Sequence, residues 1–348
     1  MKMCRARIQS FLELHLFIRD LRRKGVSPQM TSKNIYSLKN IGLPAMLSID
    51  DFANQARLSA GKIRYLSATA ESHYKVYPVP KVSGKSRLIS QPSRELKAVQ
   101  AWILRNILDK LSSSPCSKGF EVGTSILDNA RPHVGSNYVL TIDLEDFFPN
   151  VSASKVYGVF SSIGYNKELS ILLTNLCTYG GGLPQGAPTS PKLANLVCAK
   201  LDARIQGYAG PRGIVYTRYA DDMTFSSHTA SKITKVKHFI GTIISDEGFK
   251  INHKKTAICG TKRQKKVTGL ILSESSVGIG RVKHREIRAK LHHLFTGKST
   301  EFSHINGLLS YTYSVDRRAY NKLYAYIGGL TQKYPLSNAI KEISPKIV

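Results

Sequence analysis

Residues 214–225 read IVYTRYADDMTF, an apolar and aromatic stretch with two adjacent carboxylates near its centre. Seven of the twelve positions (Ile214, Val215, Tyr216, Tyr219, Ala220, Met223 and Phe225) suit a half-buried strand, the state that β-branched and aromatic side chains favour. Successive strand residues point to opposite faces, so Asp221 and Asp222 cannot both be satisfied inside one strand. The stretch therefore reads as two strands joined at a hairpin tip, with both carboxylates where a ligand can approach. Two anions this close repel, which raises one pKa unless a cation sits between them. A divalent metal resolves the repulsion; the bland alternative is a solvated Asp-Asp turn.

Magnesium prefers carboxylate oxygens and keeps positions open for water or phosphate, so a productive site recruits a further acid from elsewhere in the chain. Asp143 is the candidate, because it ends the apolar run 138–142 and has the same end-of-strand placement. Two metal ions bridged by Asp143, Asp221 and Asp222 would activate an attacking hydroxyl and stabilise a departing pyrophosphate in an in-line displacement.

The chain of 348 residues carries 51 Lys and Arg against 23 Asp and Glu, a formal charge of +28, with 42% apolar residues. That composition supports a sizeable core and a strong positive field, for which a polyanion is the expected partner. No run reaches the roughly eighteen apolar residues of a membrane span, so no membrane role is expected. The stretch RIQSFLELHLFIRDLRRK is interrupted by Glu13, His15, Arg19 and Asp20; it reads as an amphipathic helix and not as a leader peptide. Met30 is an alternative start. Five scattered cysteines without a C-x-x-C pair argue against disulfides and zinc and for a reducing cytoplasm.

Helical spacing covers 49–71, ahead of a hairpin at 74–92 with a basic tip at SGK. Residues 94–111 read as a helix with Trp102, Leu104 and Leu108 inward. A strand at 138–143 is followed by helices at 153–163 and 167–177. After three glycines, Ser190 is the expected N-cap and Pro191 the first residue of the next helix. Strands flank YADD, then a helix at 232–246, a short strand at 249–252 and another at 267–273. Beyond Arg281, apolar positions Ile287, Leu291, Leu294, Ile305, Leu308, Leu309, Leu323 and Ile327 predict three helices with basic faces.

These residues resemble a known family. Tyr219-Ala220-Asp221-Asp222 is similar to the YxDD motif of reverse transcriptases, Asp143 with Phe147 and Phe148 to their first palm motif, and Leu183-Pro184-Gln185-Gly186 with Ser190-Pro191 to their LPQG-x-x-x-SP motif. All occur in the family's order over roughly 75–275. Gly248–Asn252 with Lys255-Thr256 resembles the following motif, and Val267–Leu270 lies where the primer-grip hairpin belongs. Within the family, Asn129-Ala130-Arg131-Pro132-His133 resembles the NAxxH signature of bacterial retron enzymes, and Val267-Thr268-Gly269 their VTG signature.

The resemblance implies an α+β right-hand polymerase fold. Residues 1–70 would form a helical extension, 71–275 the fingers and palm (fingers mainly 71–130 and 151–183, palm mainly 131–150 and 184–275), and 276–348 a helical thumb. Asp143, Asp221 and Asp222 would hold two Mg²⁺, with Mn²⁺ as a substitute. The backbone at Asp146 and Phe147 would cradle a deoxynucleoside triphosphate, Phe148 would exclude a ribose 2′-OH, and Gln185 would position the sugar. Lys81, Lys85 and Arg87 would reach its phosphates, and Lys255 would protonate pyrophosphate.

Asn129 and His133 are assigned a structural or RNA-contact role; Val267, Thr268, Gly269, Arg281, Lys283, Arg288 and Lys290 are assigned to RNA. Partners implied are a cognate structured noncoding RNA serving as template and primer, its DNA product, host RNase H for RNA removal and an effector or toxin protein. Priming would start at an internal guanosine 2′-OH, giving branched RNA-DNA (msDNA) used in antiphage defence. The rivals are a group II intron or diversity-generating reverse transcriptase and a noncatalytic RNA-binding scaffold.

Overall fold

The computed structural model describes residues 38–80, 84 and 86–343. The expected N-terminal helix, Met30, Lys81 and Lys85 lie outside the described residues. The segment ahead of the first strands is two helices, α1 (Ile49–Ala56) and α2 (Ala60–Ala68). A capping box starts α1: the Ser48 hydroxyl accepts from Asp51 N–H while the Asp51 carboxylate accepts from Ser48 N–H, satisfying amides that the first turn leaves open. Strands β1 (Tyr74–Pro80) and β2 (Ser86–Pro92) then pair antiparallel from Tyr74↔Pro92 to Pro80↔Ser86.

Helix α3 (Arg94–Asn106) buries Leu96, Val99 and Ile103. Leu108 is buried as the spacing predicts, whereas Trp102 and Leu104 are only half-buried because the inward stripe falls on 96, 99 and 103. Trp102 still packs on Phe52 of α1, with ring centroids 5.2 Å apart. Helices α4 (Ala153–Ser162), α5 (Lys167–Cys177), α6 (Ser190–Val197) and α7 (Ala199–Ala209) follow, and α8 (Ala230–Asp246) lies across the main sheet.

That sheet is four-stranded and antiparallel, in the order β4 (Val215–Tyr219), β5 (Asp222–Ser227), β3 (Tyr138–Asp143), β6 (Ala257–Cys259). Its last strand corrects the expectation of one at 249–252. There only Ile251 makes a bridge, to Leu144, because Phe249 turns into the core and Asn252 is drawn to Asp143. Ser190 is not the N-cap of α6 either. Thr189 precedes the helix, and the Ser190 hydroxyl donates to the Pro184 carbonyl at 2.7 Å, so it closes the LPQG loop instead.

The expected single strand at 267–273 is a hairpin. Strands β7 (Lys265–Val267) and β8 (Leu270–Leu272) are joined through Thr268 (φ 44°) and Gly269 (φ 87°) and continue to β9 (Val277–Gly278). Two successive left-handed residues match the twist of a tight hairpin, which is why glycine suits the second. A Cβ on Gly269 would meet open space, so close backbone approach is not its reason. Helices α9 (Gly280–Phe295), α10 (Phe302–Val315) and α11 (Arg317–Lys333) complete the expected three. Ile287, Leu291, Leu294, Ile305, Leu309 and Leu323 form with Val267 and Leu270 a second apolar cluster beside the main core, with Leu308 and Ile327 half-buried at its edge. The architecture is α+β, with antiparallel sheets and segregated helices. Among the described residues no helix is long and apolar enough to cross a membrane.

Candidate active site

The register of β3 on β5 sets Asp143 directly opposite Asp222, so the two Cα atoms stand about 4.5–5.5 Å apart. Tyr219 pairs with Asp222 across the other strand pair, which leaves Ala220 and Asp221 as a two-residue turn. Ala220 takes φ 58° there. The Asp221 carbonyl accepts from Leu144 N–H at 3.1 Å, locking the turn to the residue after Asp143. The three acids that lie far apart in sequence thus share one sheet end.

Their electrostatics follow from that crowding. The Asp222 carboxyl is pushed up to about 6 by lost hydration and then by the charges of Asp221 and Asp143, with Lys255 pulling the other way. Lys255 Nζ lies 2.8 Å from Asp143 Oδ2, and this carboxylate holds the ammonium above the usual lysine range. Asn252 Nδ2 donates to Asp143 Oδ1 at 3.0 Å, and its backbone N–H donates to the Asp143 carbonyl at 2.8 Å.

Hard oxygen donors whose mutual repulsion a cation would relieve fit a divalent metal in kind and in register. They do not converge as a closed ligand set: among the described residues no three His, Cys, Asp or Glu side chains are placed to hold an ion. Asp143 Oδ1 accepts from Asn252 and Oδ2 from Lys255, so both of its oxygens are engaged.

Behind the turn lies a buried network without a counterpart in the motifs. Arg218 and Asp202 are both fully buried and form a two-point ion pair, Nε to Oδ1 at 2.8 Å and Nη2 to Oδ2 at 2.8 Å. Tyr216 O–H donates to the same Asp202 Oδ1 at 2.7 Å. Arg218 Nη1 donates to the Ala220 carbonyl at 3.1 Å, holding the turn from behind. Asn195, on α6, spends its whole amide here: Oδ1 accepts from Ser117 Oγ at 2.9 Å and Arg218 Nη1 at 3.1 Å, while Nδ2 donates to the Gly119 carbonyl at 2.7 Å and Glu121 Oε1 at 2.8 Å. A Cβ on Gly119 would come 2.8 Å from Ala220 N, so only glycine allows this segment to lie against the turn. Sequence reasoning singled out none of Arg218, Asp202, Asn195 or Gly119.

The remaining expected residues divide between surface and interior. Asp146 (φ 41°) is exposed before a one-turn helix, Phe147–Asn150, with Phe147 buried and Phe148 half-buried. Gln185 is half-buried, and its carbonyl accepts from Ser90 N–H of β2 at 2.9 Å. Arg87 is exposed on β2. His133 and Asn129 are fully buried. His133 bridges Ser226 Oγ at 2.7 Å and Thr217 Oγ1 at 2.8 Å, an interior placement that suits the structural one of its two expected roles. Val267 is likewise buried, in the second core, whereas Thr268 is half-buried and Gly269 exposed.

Arg281 and Arg288 are exposed, Lys283 is paired with Glu286 at 3.0 Å, and Lys290 meets His304 at 3.1 Å. Arg281 and Arg288 line a cleft of about 1120 Å³ with Arg131, Arg285, Arg317 and Lys322. Its acid, Asp316, already accepts from Ile279 and Ala319 N–H, so the cleft presents mainly cations.

Comparison with known proteins matches residues 79–272 to the family described as reverse transcriptase (RNA-dependent DNA polymerase). The retron Ec86 reverse transcriptase of Escherichia coli is 54% identical over 311 residues, covering 88% of this chain and 97% of that protein. The retron Mx65 reverse transcriptase of Myxococcus xanthus is 35% identical over 298 residues, covering 79% and 70%. Ordered motifs, a sheet end that gathers the acids and identity along nearly the whole of a retron enzyme lead to one assignment: this chain belongs to the reverse transcriptase family, in its bacterial retron branch, and is an RNA-directed DNA polymerase.

Proposed function

We propose that this polymerase copies part of a cognate structured noncoding RNA, starting from an internal guanosine 2′-OH and leaving a branched RNA-DNA product that serves antiphage defence. The observation that carries the chemistry is the pairing of Asp143 with Asp222 across β3 and β5, with Asp221 on the connecting turn. In this reading these three carboxylates bind two Mg²⁺, or Mn²⁺ in its place. When bound, such ions would supply activation of the priming hydroxyl and charge neutralisation at the phosphates.

The chain's own side chains do the rest. Backbone at Asp146 and Phe147 lies under the nucleotide phosphates, which Arg87 and Lys85 bind. Phe148 meets the sugar at its 2′ position, and Gln185 orients that sugar. Lys255, held 2.8 Å from Asp143, moves a proton to the leaving pyrophosphate. The fingers and palm comprise 71–275 and the thumb 276–348, following an extension at 1–70. The thumb grips the A-form duplex through phosphates and 2′-hydroxyls across its shallow groove, using Arg281, Arg288, Lys283 and Lys290, with Thr268 and Gly269 at the hairpin tip. The cationic cleft supports that grip. The enzyme works in the cytoplasm, host RNase H removes copied RNA, and an effector or toxin protein completes the system.

The test is to purify the chain with its neighbouring RNA locus and sequence the nucleic acid that accompanies it, for wild type and Asp222→Asn. A branched RNA-DNA species in wild type and not in the variant is expected. Unbranched RNA with both would favour a noncatalytic scaffold, and linear DNA from arbitrary primers a different class of reverse transcriptase.

A further inference from the structure

Phe120 is a large apolar side chain left 43% exposed, and its backbone takes φ 60°, a conformation that bulky residues avoid. Such strain persists where the surroundings over-determine it, and here both neighbours are fixed. Gly119 is wedged against Ala220 N and its carbonyl accepts from Asn195. Glu121 is held by Asn195 and by Lys192 Nζ at 2.6 Å. One residue further back, Lys118 N–H donates to the Arg218 carbonyl at 2.7 Å. The segment therefore has no freedom to tuck the ring away.

The ring it projects lies 6.0 Å from that of Phe148 and 6.4 Å from that of Tyr219, tilted by 43° to each. Phe148 is also 5.5 Å from Phe147. Phe148 is thus flanked by one buried ring and one exposed ring, and the exposed one is fixed to the catalytic turn through Gly119 and Asn195. A ring that rejects a hydroxyl by bulk must not yield when the hydroxyl arrives. Phe147 and Phe120 are both ring neighbours of Phe148, and Phe120 is the one held rigidly by its backbone.

We infer that Phe120 is a positioning residue for sugar selection: it braces Phe148, so that discrimination between deoxyribo- and ribonucleotides depends on a residue outside the polymerase motifs. This rests on the reading of Phe148 as the ring that meets the 2′ position. Because Phe120 acts through Phe148, its removal changes the preference between nucleotides rather than the rate common to both.

The experiment measures kcat/KM for incorporation of dGTP and GTP by the full chain on an RNA template-primer, for Phe120→Ala, Phe120→Tyr, Phe148→Ala and the double alanine variant. Phe120→Ala is expected to relax the dGTP preference by about three- to tenfold, the range that aromatic-pair coupling energies correspond to. Phe120→Tyr keeps the ring and the preference. The double variant is no more relaxed than Phe148→Ala alone, as residues acting through one contact are not additive. Unchanged preference in Phe120→Ala with relaxed preference in Phe148→Ala overturns the bracing role while leaving the gate in place. An equal fall for both nucleotides, or strictly additive effects, overturns it too. Unchanged preference in Phe148→Ala removes the gate reading itself, and the bracing with it.

Discussion

Arg218→Met tests whether the buried network behind the YADD turn sustains both fold and activity. Arg218 and Asp202 are each fully buried and doubly hydrogen-bonded. Methionine fills much of the arginine stem's volume but leaves the Asp202 carboxylate with only Tyr216 O–H among these partners. Removing one member of a buried pair costs about 3–5 kcal/mol because the other charge is stranded, a large share of the roughly 5–15 kcal/mol that holds a domain folded. At about 2 °C per kcal/mol, the figure for larger domains, the midpoint falls by about 6–10 °C. The paired variant Arg218→Met with Asp202→Leu strands no charge and recovers most of that loss. Activity does not recover, because the Ala220 carbonyl still lacks its donor. Differential scanning fluorimetry and single-nucleotide incorporation read the two effects separately. A midpoint within 2 °C of wild type in Arg218→Met, or full activity in the paired variant, would refute the reasoning.

Burial pushes the His133 imidazole down to about 4 from its usual 6.5. The unfolded chain takes up that proton below about pH 6.5 while the folded chain does not, so stability is full above this pH and is lost as pH falls toward about 4, by about 3 kcal/mol in all. Urea melts at pH 7 and 4.5 should show this loss in wild type and a smaller one in His133→Gln; equal losses contradict it. Lys255→Met removes the cation that occupies Asp143, so Mn²⁺ binding followed by electron paramagnetic resonance tightens while incorporation slows, and weaker binding would count against the competition. Arg317→Ala with Arg318→Ala, on the cationic cleft, should lower the salt slope of RNA binding by about 1–2. An unchanged slope removes the cleft from the RNA path.

The hairpin at the YADD turn was legible because strand alternation leaves two adjacent carboxylates no place inside a strand, and Asp143 because it ends an apolar run. Helix α5 was legible at both ends, Lys167 and Cys177, since polar residues bound a strongly periodic stretch on either side. What stayed hidden depends on contacts between distant residues. Nothing in VYTRY says that Arg218 faces inward until Asp202 of α7 is brought behind it. FKIN and AIC have similar strand character, so sequence alone does not place the last strand of the main sheet; the choice is made by Asn252 binding Asp143, a contact across 109 positions. Ser190 precedes a proline as a helix cap would, yet its hydroxyl serves the loop before it. His133 carried no signal of burial, and only the facing hydroxyls of Thr217 and Ser226 explain it.

The central claim is that Asp143, Asp221 and Asp222 together support metal-dependent nucleotide addition. Its most direct test is pre-steady-state incorporation of one deoxynucleotide on an RNA template by Asp143→Asn, Asp221→Asn and Asp222→Asn, each with RNA binding measured in parallel. Each variant should bind RNA as wild type does and lose several kcal/mol of transition-state stabilisation, on the order of 10³ in rate. Incorporation within a few-fold of wild type by any of the three would contradict the account.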